Sequence, residues 1–563
     1  MIAGIGAAIL FGIVVLFHLD GMSPHPARWV AIALFAFFGA ILLSRARRIE
    51  FSITDVCALS FVAWVALSLL WTSDLGSGLL AFQNLLLLGS AYFLFSRIKM
   101  DWLIPTVMAC MVGAIILGFL RPLIGGGFGN QNWIVEWLLI ACPFAVCFSV
   151  EHRARVWGFT GAAIALAAWV YSIWFNPSFT WVPVLSSIVT MFLLYRKKYF
   201  LAAFLVALGA NIVLFAPEMV GADAMSSLTS RLEIFTNTIF LWAESPVWGH
   251  GAGSFDYNYS RVQEAHMAVF PWLDTIMRPT TVYAGQAHNE ALQILSEYGI
   301  IGLTIAVAMF LSLVVVQPTT KLGKASVWAV AIGGTISMMS FPLQNPATGF
   351  LIAAALGIWS RDATRRSVNL PRFSLALPAI SLSLALITGT VLWSTAHKDF
   401  GYVRLVIEHN RPLALQKNWD AYKRYPIDPM FRRQLALSLI GLESLGPDIV
   451  SVDDAAAEKI FNIALSAVPH NSALLLAILE HHFTYEKWEG NEDRINAILA
   501  ELKSNARLQP GTWISDAIWS AIQGDEQNIR NAIRTGLALD HASPAALAPL
   551  MEMAIALKME TVE

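Results

Sequence analysis

The stretch that decides the fold of this 563-residue chain is residues 287–316, AHNEALQILSEYGIIGLTIAVAMFLSLVVV. It opens with the polar residues His288, Asn289 and Glu290, and residues 291–316 are mostly apolar. A helix needs about 20 mostly apolar residues to cross a bilayer. Helices satisfy their own backbone groups, so an apolar run of this length favours a spanning helix. The stretch therefore predicts a transmembrane helix with polar side chains at its mouth.

The composition of the whole chain agrees with this stretch. Hydrophobic residues make up 56% of the sequence and charged residues 13%, against roughly 45–50% and about 25% in soluble domains. These values exclude an ordinary soluble enzyme for most of the chain, and they exclude intrinsic disorder. The net charge of −2 gives no basic surface for nucleic acid, so no nucleic-acid partner is expected.

Repeated apolar runs predict an all-α, polytopic membrane protein with 12–13 transmembrane helices. The runs are 2–19, 28–44, 53–71, 77–96, 102–120, 131–150, 156–175, 178–195, 199–216, 289–316, 323–341, 344–359 and 373–394. They place a membrane domain at residues 1–394, with one large exported loop at 217–288. Residues 395–563 have ordinary charge density and predict a second, helical domain.

Lysine and arginine residues in the short joints predict the orientation, because cytoplasmic loops are enriched in them. Alternate joints carry 16 of these residues, whereas the opposite short joints carry only Arg28 and Arg121. We therefore expect the N-terminus inside the cell. The 217–288 loop and the C-terminal domain are then expected on the periplasmic side of a bacterial inner membrane.

The exported loop is far longer than the usual connection between helices. Its apolar residues recur at helical spacing and predict an amphipathic helix that ends before Pro246. These residues are Leu228, Leu232, Phe235, Ile239 and Trp242. Arg231 lies at the edge of this apolar stripe. Both a ligand-binding arginine and an arginine that reaches the lipid headgroups explain that position.

Three glycines come after this predicted helix at alternate positions, Gly249, Gly251 and Gly253. Glycine allows a tight backbone turn and a close approach to another group. Such a loop can present N–H groups to a phosphate, or it can pack against the membrane domain. The sequence leaves both alternatives open.

His288 lies at the outer mouth of the span that closes the loop, and helical spacing puts it on one face with Leu292 and Leu295. The N-terminus of a helix carries partial positive charge, which disfavours imidazolium. A neutral imidazole in this place can accept a proton from a hydroxyl. A capping or interface histidine is the alternative, and Glu297 is expected to make a helix–helix contact.

Together these residues resemble the signature of the bacterial O-antigen ligase and O-antigen polymerase superfamily, which includes the protein O-oligosaccharyltransferases. The resemblance covers residues 225–305 and is carried by Arg231 to Pro246, the glycine loop, and His288 and Asn289 followed by Leu292, Leu295, Glu297 and Gly299. Residues 125–133, which include Asn130, resemble the family's outward glycine/asparagine joint. Residues 341–346 are a weaker echo.

The resemblance implies a GT-C-type glycosyltransferase that uses no metal and no cofactor. Its donor is a glycan linked to undecaprenyl diphosphate, and its acceptor is a glycan or a lipid. Arg231 matches the arginine that binds the diphosphate, and His288 matches the catalytic base. Arg121 and Arg278 are further candidates for the diphosphate. The residues expected to support the site are Gly249, Gly251, Gly253, Asn289 and Asn130.

The acceptor is not decided by the sequence. A polymerase of an exported polysaccharide is favoured, because a fused exported helical domain suits the handling of a glycan chain. An O-antigen ligase and a protein O-oligosaccharyltransferase are the alternatives, and a polysaccharide or lipid transporter is a remote one. Membrane lipids and proteins of chain-length control or export are the other expected partners.

The region after residue 395 predicts amphipathic helices separated by prolines. Three segments share a proline followed by apolar residues: VPHNSALLLAIL, LQPGTWISDAIW and DHASPAALAPL. Their spacing resembles degenerate tetratricopeptide-type helical hairpins. Such an array usually binds a partner or packs on a neighbouring domain.

Overall fold

A computed structural model describes most of the chain. The described residues are 2–16, 25–44, 48–98, 102–124, 131–151, 155–175, 222–265, 284–369, 376–406, 410–443, 454–485, 488–539 and 544–557. They are mostly helical, which confirms the all-α polytopic membrane fold.

Eleven of the thirteen predicted spans coincide with helices, and the runs 178–195 and 199–216 lie outside the described residues. The helices are α1 (Ile2–Leu16), α2 (His25–Ser44), α3 (Ile53–Ser68), α4 (Leu75–Phe95), α5 (Leu103–Ile124), α6 (Gln131–Glu151), α7 (Arg155–Phe175), α8 (Ala222–Glu244), α9 (Phe255–Tyr259), α10 (Glu290–Val314), α11 (Lys321–Ser337), α12 (Pro346–Trp359) and α13 (Ala376–Val406). Among the described residues, α4, α5, α6, α10 and α13 contain segments long and apolar enough to cross a membrane by themselves.

Several of these helices begin at a polar side chain that caps the first turn. Ser52 and Asp55 form a reciprocal capping box at the start of α3. Asp74 accepts from two backbone N–H groups at the start of α4, and Asn345 caps α12 just before Pro346. Each such cap contributes about 1 kcal/mol, because it satisfies N–H groups that lack a partner within the helix.

An aromatic cluster forms the centre of the membrane domain. Phe35 and Phe95 stack with ring centroids 5.4 Å apart, and Phe350 meets both rings edge-on at 5.3 and 5.8 Å. Trp29 and Trp137 are also fully buried. These side chains join α2, α4, α6 and α12 into one core. The ends of these helices are therefore held in fixed positions.

Where the structure describes them, the arginine-rich joints lie together on one side of the helices. Two short strands, β1 (Arg48–Phe51) and β2 (Arg366–Asn369), pair there antiparallel, and the sequence did not predict them. The Arg361 side chain donates to the carbonyl of Phe95 at 2.8 Å. The Lys321 amine donates to the carbonyl of Val150 at 3.2 Å. These contacts join separate basic joints, and the orientation of the chain across the membrane stays a prediction.

The C-terminal helices pack on the opposite side. They are α14 (Arg411–Arg424), α15 (Pro429–Glu443), α16 (Asp454–Leu465), α17 (Ser472–Thr484), α18 (Glu492–Asn505), α19 (Pro510–Gln523), α20 (Glu526–Leu537) and α21 (Pro544–Ala556). Neighbouring helices in the sequence pack on one another, but membership of the tetratricopeptide family stays a prediction. Helix α13 continues through residue 394, where the sequence analysis places the domain boundary.

Two polar contacts fasten the C-terminal helices to the membrane domain and its long loop. The Arg432 guanidinium contacts the Asp74 carboxylate at 2.5 Å, and both side chains are largely buried. The Glu264 carboxylate accepts from the backbone N–H groups of Arg507 and Leu508, at 3.0 and 3.1 Å. The C-terminal helices therefore lie on the same side of the membrane helices as the described part of the long loop. The periplasmic location of both stays a prediction.

Candidate functional site

The predicted amphipathic helix of the long loop is α8, and it ends at Glu244, two residues before Pro246. Its buried face includes Ile234, Phe235 and Leu241, and Phe235 packs with Leu292 of α10. An amphipathic helix packs its apolar side against a neighbour and leaves its polar side free. Helix α8 is thereby fixed against the mouth of α10.

Arg231 on α8 is turned toward the protein. Burial lowers the pKa of its guanidinium, and the carboxylate of Glu136 acts in the opposite direction. Within the part of the chain that the structure describes, the Arg231 side chain makes no hydrogen bond. A charge held away from water is costly unless it is paired and hydrogen-bonded, so this guanidinium is suited to an anionic ligand.

Glu136 on α6 was missed by the sequence analysis. Its carboxylate is buried and accepts a hydrogen bond from the Ser340 hydroxyl at 2.6 Å. The other carboxylate oxygen has no hydrogen-bond partner among the described residues. An ionisable residue inside an apolar span is itself a sign of a functional site, and that sign was available in the sequence.

His288 lies before α10 rather than within it. Its backbone has a φ of 51°, in the left-handed region, and α10 begins two residues later at Glu290. The expectation that His288 shares a helical face with Leu292 and Leu295 is therefore wrong, because a left-handed residue interrupts the helical geometry. This conformation directs the His288 ring toward Phe341, with ring centroids 5.0 Å apart.

The imidazole of His288 is held in its neutral form. Burial lowers its pKa from 6.5 to about 4, and the positive charge of Arg231 acts in the same direction. Neither ring nitrogen hydrogen-bonds to any of the residues the structure describes. At neutral pH the ring is therefore an unprotonated group with a nitrogen free to accept a proton.

Asn289, rather than His288, caps α10. Its side-chain oxygen accepts from the N–H of Leu292 at 3.1 Å, and its amide nitrogen donates to the carbonyl of Met338 at 3.1 Å. The cap therefore ties the mouth of α10 to the joint that precedes α12. The position of His288 depends on this tie, because His288 is the next residue toward the N-terminus.

The joint before α12 forms one wall of the site. Glu290 accepts from the N–H of Leu343 at 2.9 Å. Ser340 donates to Glu136, and the ring of Phe341 contacts the ring of His288. The weaker sequence echo at residues 341–346 therefore lies at the site. Its contribution was not visible in the sequence, because its partners are on α6 and α10.

The glycine loop packs against the membrane domain, which is one of the two alternatives left open by the sequence. The N–H of Gly251 donates to the Glu297 carbonyl at 2.8 Å, and the N–H of Gly253 donates to the Glu297 carboxylate at 3.0 Å. Every N–H from Gly249 to Ser254 donates to an acceptor within the protein. No donor of this loop is left for a phosphate, and Glu297 anchors the loop.

The remaining predicted site residues have less structural description. Arg121 lies near the end of α5, and its side chain is outside the described part of the structure. Arg278 and Asn130 lie outside the described residues altogether. The structure thus brings together Arg231, His288 and Asn289, and it does not test the roles of the other residues.

These features define a multi-pass membrane protein. The guanidinium of Arg231 and the imidazole of His288 lie near the ends of its helices that are away from the arginine-rich joints. Residues 137–307 match the family model described as O-antigen ligase. This match confirms the resemblance to the O-antigen ligase and polymerase superfamily, and it includes Arg231, the glycine loop and His288. No curated protein matches the chain.

The close packing of the glycine loop predicts that Gly251→Ala is strongly destabilising. Gly251 has a φ of +94°, and an added Cβ would lie 2.4 Å from Thr72 Cα, a backbone atom that cannot turn aside. We expect a loss of at least about 2 kcal/mol of stability. Thermal unfolding of the purified protein in detergent measures this loss.

Gly334→Ala on α11 is the matched control, because a Cβ at Gly334 meets nothing within 4 Å. Alanine is about 1 kcal/mol more favourable than glycine in a helix, so the control should be neutral or slightly more stable. Equal unfolding temperatures for wild type and Gly251→Ala would contradict the described packing.

Proposed function

We propose that the protein is a membrane glycosyltransferase that moves a glycan from an undecaprenyl diphosphate carrier to an acceptor hydroxyl on the periplasmic side. The observation that carries this proposal is that Arg231 and His288 lie close enough for the Arg231 charge to act on the imidazole. One has a guanidinium without a hydrogen-bonding partner among the described residues, and the other has a neutral imidazole. The family match independently supports glycosyl transfer of the O-antigen ligase or polymerase type.

Arg231 would bind the diphosphate of the donor. Negative charge grows on the leaving oxygen as its bond to the sugar breaks, and a fixed cation stabilises that charge. A guanidinium offers two parallel N–H groups to a phosphate and keeps its charge even when partly buried. Glu136 would limit the cost of burying the Arg231 charge before the donor binds.

His288 would act as the general base. The acceptor hydroxyl donates its proton to a ring nitrogen while its oxygen attacks the anomeric carbon, and the diphosphate leaves. A single displacement of this kind inverts the configuration at that carbon. The low pKa of His288 keeps the ring available for a proton throughout the neutral range.

A polymerase of an exported polysaccharide is the favoured reaction. The C-terminal helices contact the membrane domain on the same side as Arg231 and His288. A glycan that grows at this site would therefore meet the C-terminal domain as it leaves. Transfer to a lipid core, as in a ligase, or to a protein hydroxyl uses the same donor chemistry and is the alternative.

The proposed role of Arg231 predicts that Arg231→Lys loses most activity although the charge is retained. A lysine offers a single ammonium group in place of the guanidinium fork. We expect the rate of glycan transfer to fall roughly a hundredfold, as for other losses of a group that stabilises developing charge. Product formation by the purified enzyme with lipid-linked donor measures this rate.

Arg261→Lys provides a control in the same loop. The Arg261 guanidinium pairs with the partly exposed Glu244 on the outside of α8 and should tolerate lysine. A near-normal rate for Arg231→Lys, at equal protein level, would contradict the diphosphate assignment. Such a result would indicate that Arg231 has only a packing role.

The neutral state of His288 predicts the pH dependence of the reaction. The base works only when unprotonated, so activity is lost as the pH falls through its pKa. With a pKa of about 4 in the free enzyme, kcat/KM should stay level from pH 8 to about 5 and fall below that range. The helix end alone predicts a loss of activity below about pH 6. Burial of the ring and the charge of Arg231 move the expected midpoint to lower pH.

The His288→Gln variant tests whether the loss of activity at low pH arises from this residue. Glutamine keeps a polar side chain but cannot serve as a base, so we expect a loss of about a hundredfold or more and no titration near pH 4. An active glutamine variant, or one that keeps the same loss of activity at low pH, would show that His288 is not the base. A wild-type midpoint at or above 6.5 would contradict the lowered pKa of His288.

A further inference from the structure

A cavity of about 470 Å³ lies beside the Arg231 and His288 site, between the membrane helices and the C-terminal domain. Helices α4 and α10 form two of its walls, and residues 428–430 of the C-terminal domain close another. Its size is within the range of about 300–1,000 Å³ that is typical of small-molecule sites. The proposed reaction at Arg231 and His288 does not account for it.

Three side-chain amides of the cavity lining each have one atom without a hydrogen-bond partner among the described residues. Asn84 Oδ1, Gln286 Oε1 and Asn345 Nδ2 are buried and make no hydrogen bond to any described residue. Leaving a buried polar atom unpaired costs about 1–3 kcal/mol. Three such atoms around one cavity suit a ligand with several hydroxyl groups, because a hydroxyl both donates and accepts.

Aromatic rings line the same cavity. They include the rings of Trp29, Trp133, Phe341 and Trp393. Such rings offer flat apolar surfaces to the C–H faces of a ligand, while the amides reach its polar edges. A ligand with apolar faces and a polar edge fits this combination better than a purely apolar one does.

The charges of the lining argue against a diphosphate. Four carboxyl-bearing residues line the cavity, Asp256, Glu290, Glu297 and Asp428, and no lysine or arginine is among its described lining residues. A diphosphate is usually bound by arginine or lysine side chains, and neither residue type is among these described lining residues. The diphosphate of the donor therefore belongs with Arg231, which is not part of this cavity.

We infer that this cavity binds the sugar units of the acceptor, an inference that rests on the proposed glycosyl transfer. Phe341 contacts the His288 ring and also lines the cavity, so His288 lies at the cavity's edge. An acceptor sugar seated here presents a hydroxyl toward His288. The donor approaches from the Arg231 side, and the two substrates remain separate until transfer.

The test is binding of lipid-free oligosaccharides to the full-length protein in detergent. The probe is oligosaccharides released by mild acid from the exported polysaccharide of the source cells, and binding is followed by tryptophan fluorescence and saturation-transfer NMR. Asn84→Leu and Gln286→Met, which remove one acceptor each, should weaken binding about tenfold. Arg231→Lys should bind like the wild type.

Gln523→Met is the matched control, because Gln523 is an exposed amide on the C-terminal domain away from the cavity. It should leave binding unchanged. Thermal unfolding shows which variants are folded, and Gln286→Met nearly preserves side-chain volume. Absent binding to the wild type, equal binding by the Asn84 and Gln286 variants, or displacement of the oligosaccharide by undecaprenyl phosphate would each overturn the inference.

The failure of this inference is distinguishable from failure of the proposed function. If oligosaccharides bind as expected while His288→Gln remains fully active, the cavity assignment stands and the proposed mechanism fails. If His288→Gln is inactive and the wild type binds no oligosaccharide, the cavity assignment fails and the proposed mechanism stands.

Discussion

The proposed reaction depends on the electrostatic interactions of Arg231 with Glu136 and with His288. Burial makes the Arg231 charge expensive, Glu136 offsets part of that cost, and the same charge opposes protonation of His288. An anion bound at Arg231 would complete the neutralisation. One arginine therefore has two effects that the proposed reaction needs, since it offers a site for a diphosphate and keeps the neighbouring base unprotonated.

The rest of the fold positions these three residues. Asn289 caps α10 and ties it to the joint before α12, while Glu297, two turns into α10, anchors the glycine loop that comes after α8. The middle of the long loop and its C-terminal end are thus both fastened to one helix. Side chains held on packed helices keep their geometry better than side chains on free loops do, which favours a site that is already formed before substrate binds.

Local patterns predicted most of the helices. Apolar runs identify α1 to α7 and α10 to α13, because a spanning helix is encoded by one continuous segment. The residue spacing in the long loop likewise predicted α8 and placed Arg231 on it. The two short strands were missed, because β1 and β2 are four residues each and pair across more than 300 positions of the chain.

The site was only partly predictable. Arg231 and His288 were identified from their resemblance to a family signature, but Glu136 was missed, and its hydrogen-bond partner Ser340 is 204 positions away. The role of the glycine loop could not be decided from the sequence, since its N–H groups donate to acceptors on α3 and α10 as well as within the loop. The charge of Glu136 within an apolar span was visible in the sequence. Its contacts, and those of the glycine loop, join distant segments and are not encoded by local patterns.

Ligand binding without turnover tests most directly whether Arg231 binds the diphosphate while His288 acts only as the base. Native mass spectrometry of the purified protein with undecaprenyl diphosphate that carries no sugar separates the two roles. We expect Arg231→Gln to bind this ligand at least about tenfold more weakly than the wild type does, whereas His288→Gln should bind it with unchanged affinity. An equal loss of affinity in both variants would place His288 in the diphosphate site. Unchanged binding by Arg231→Gln would show that Arg231 does not bind the diphosphate.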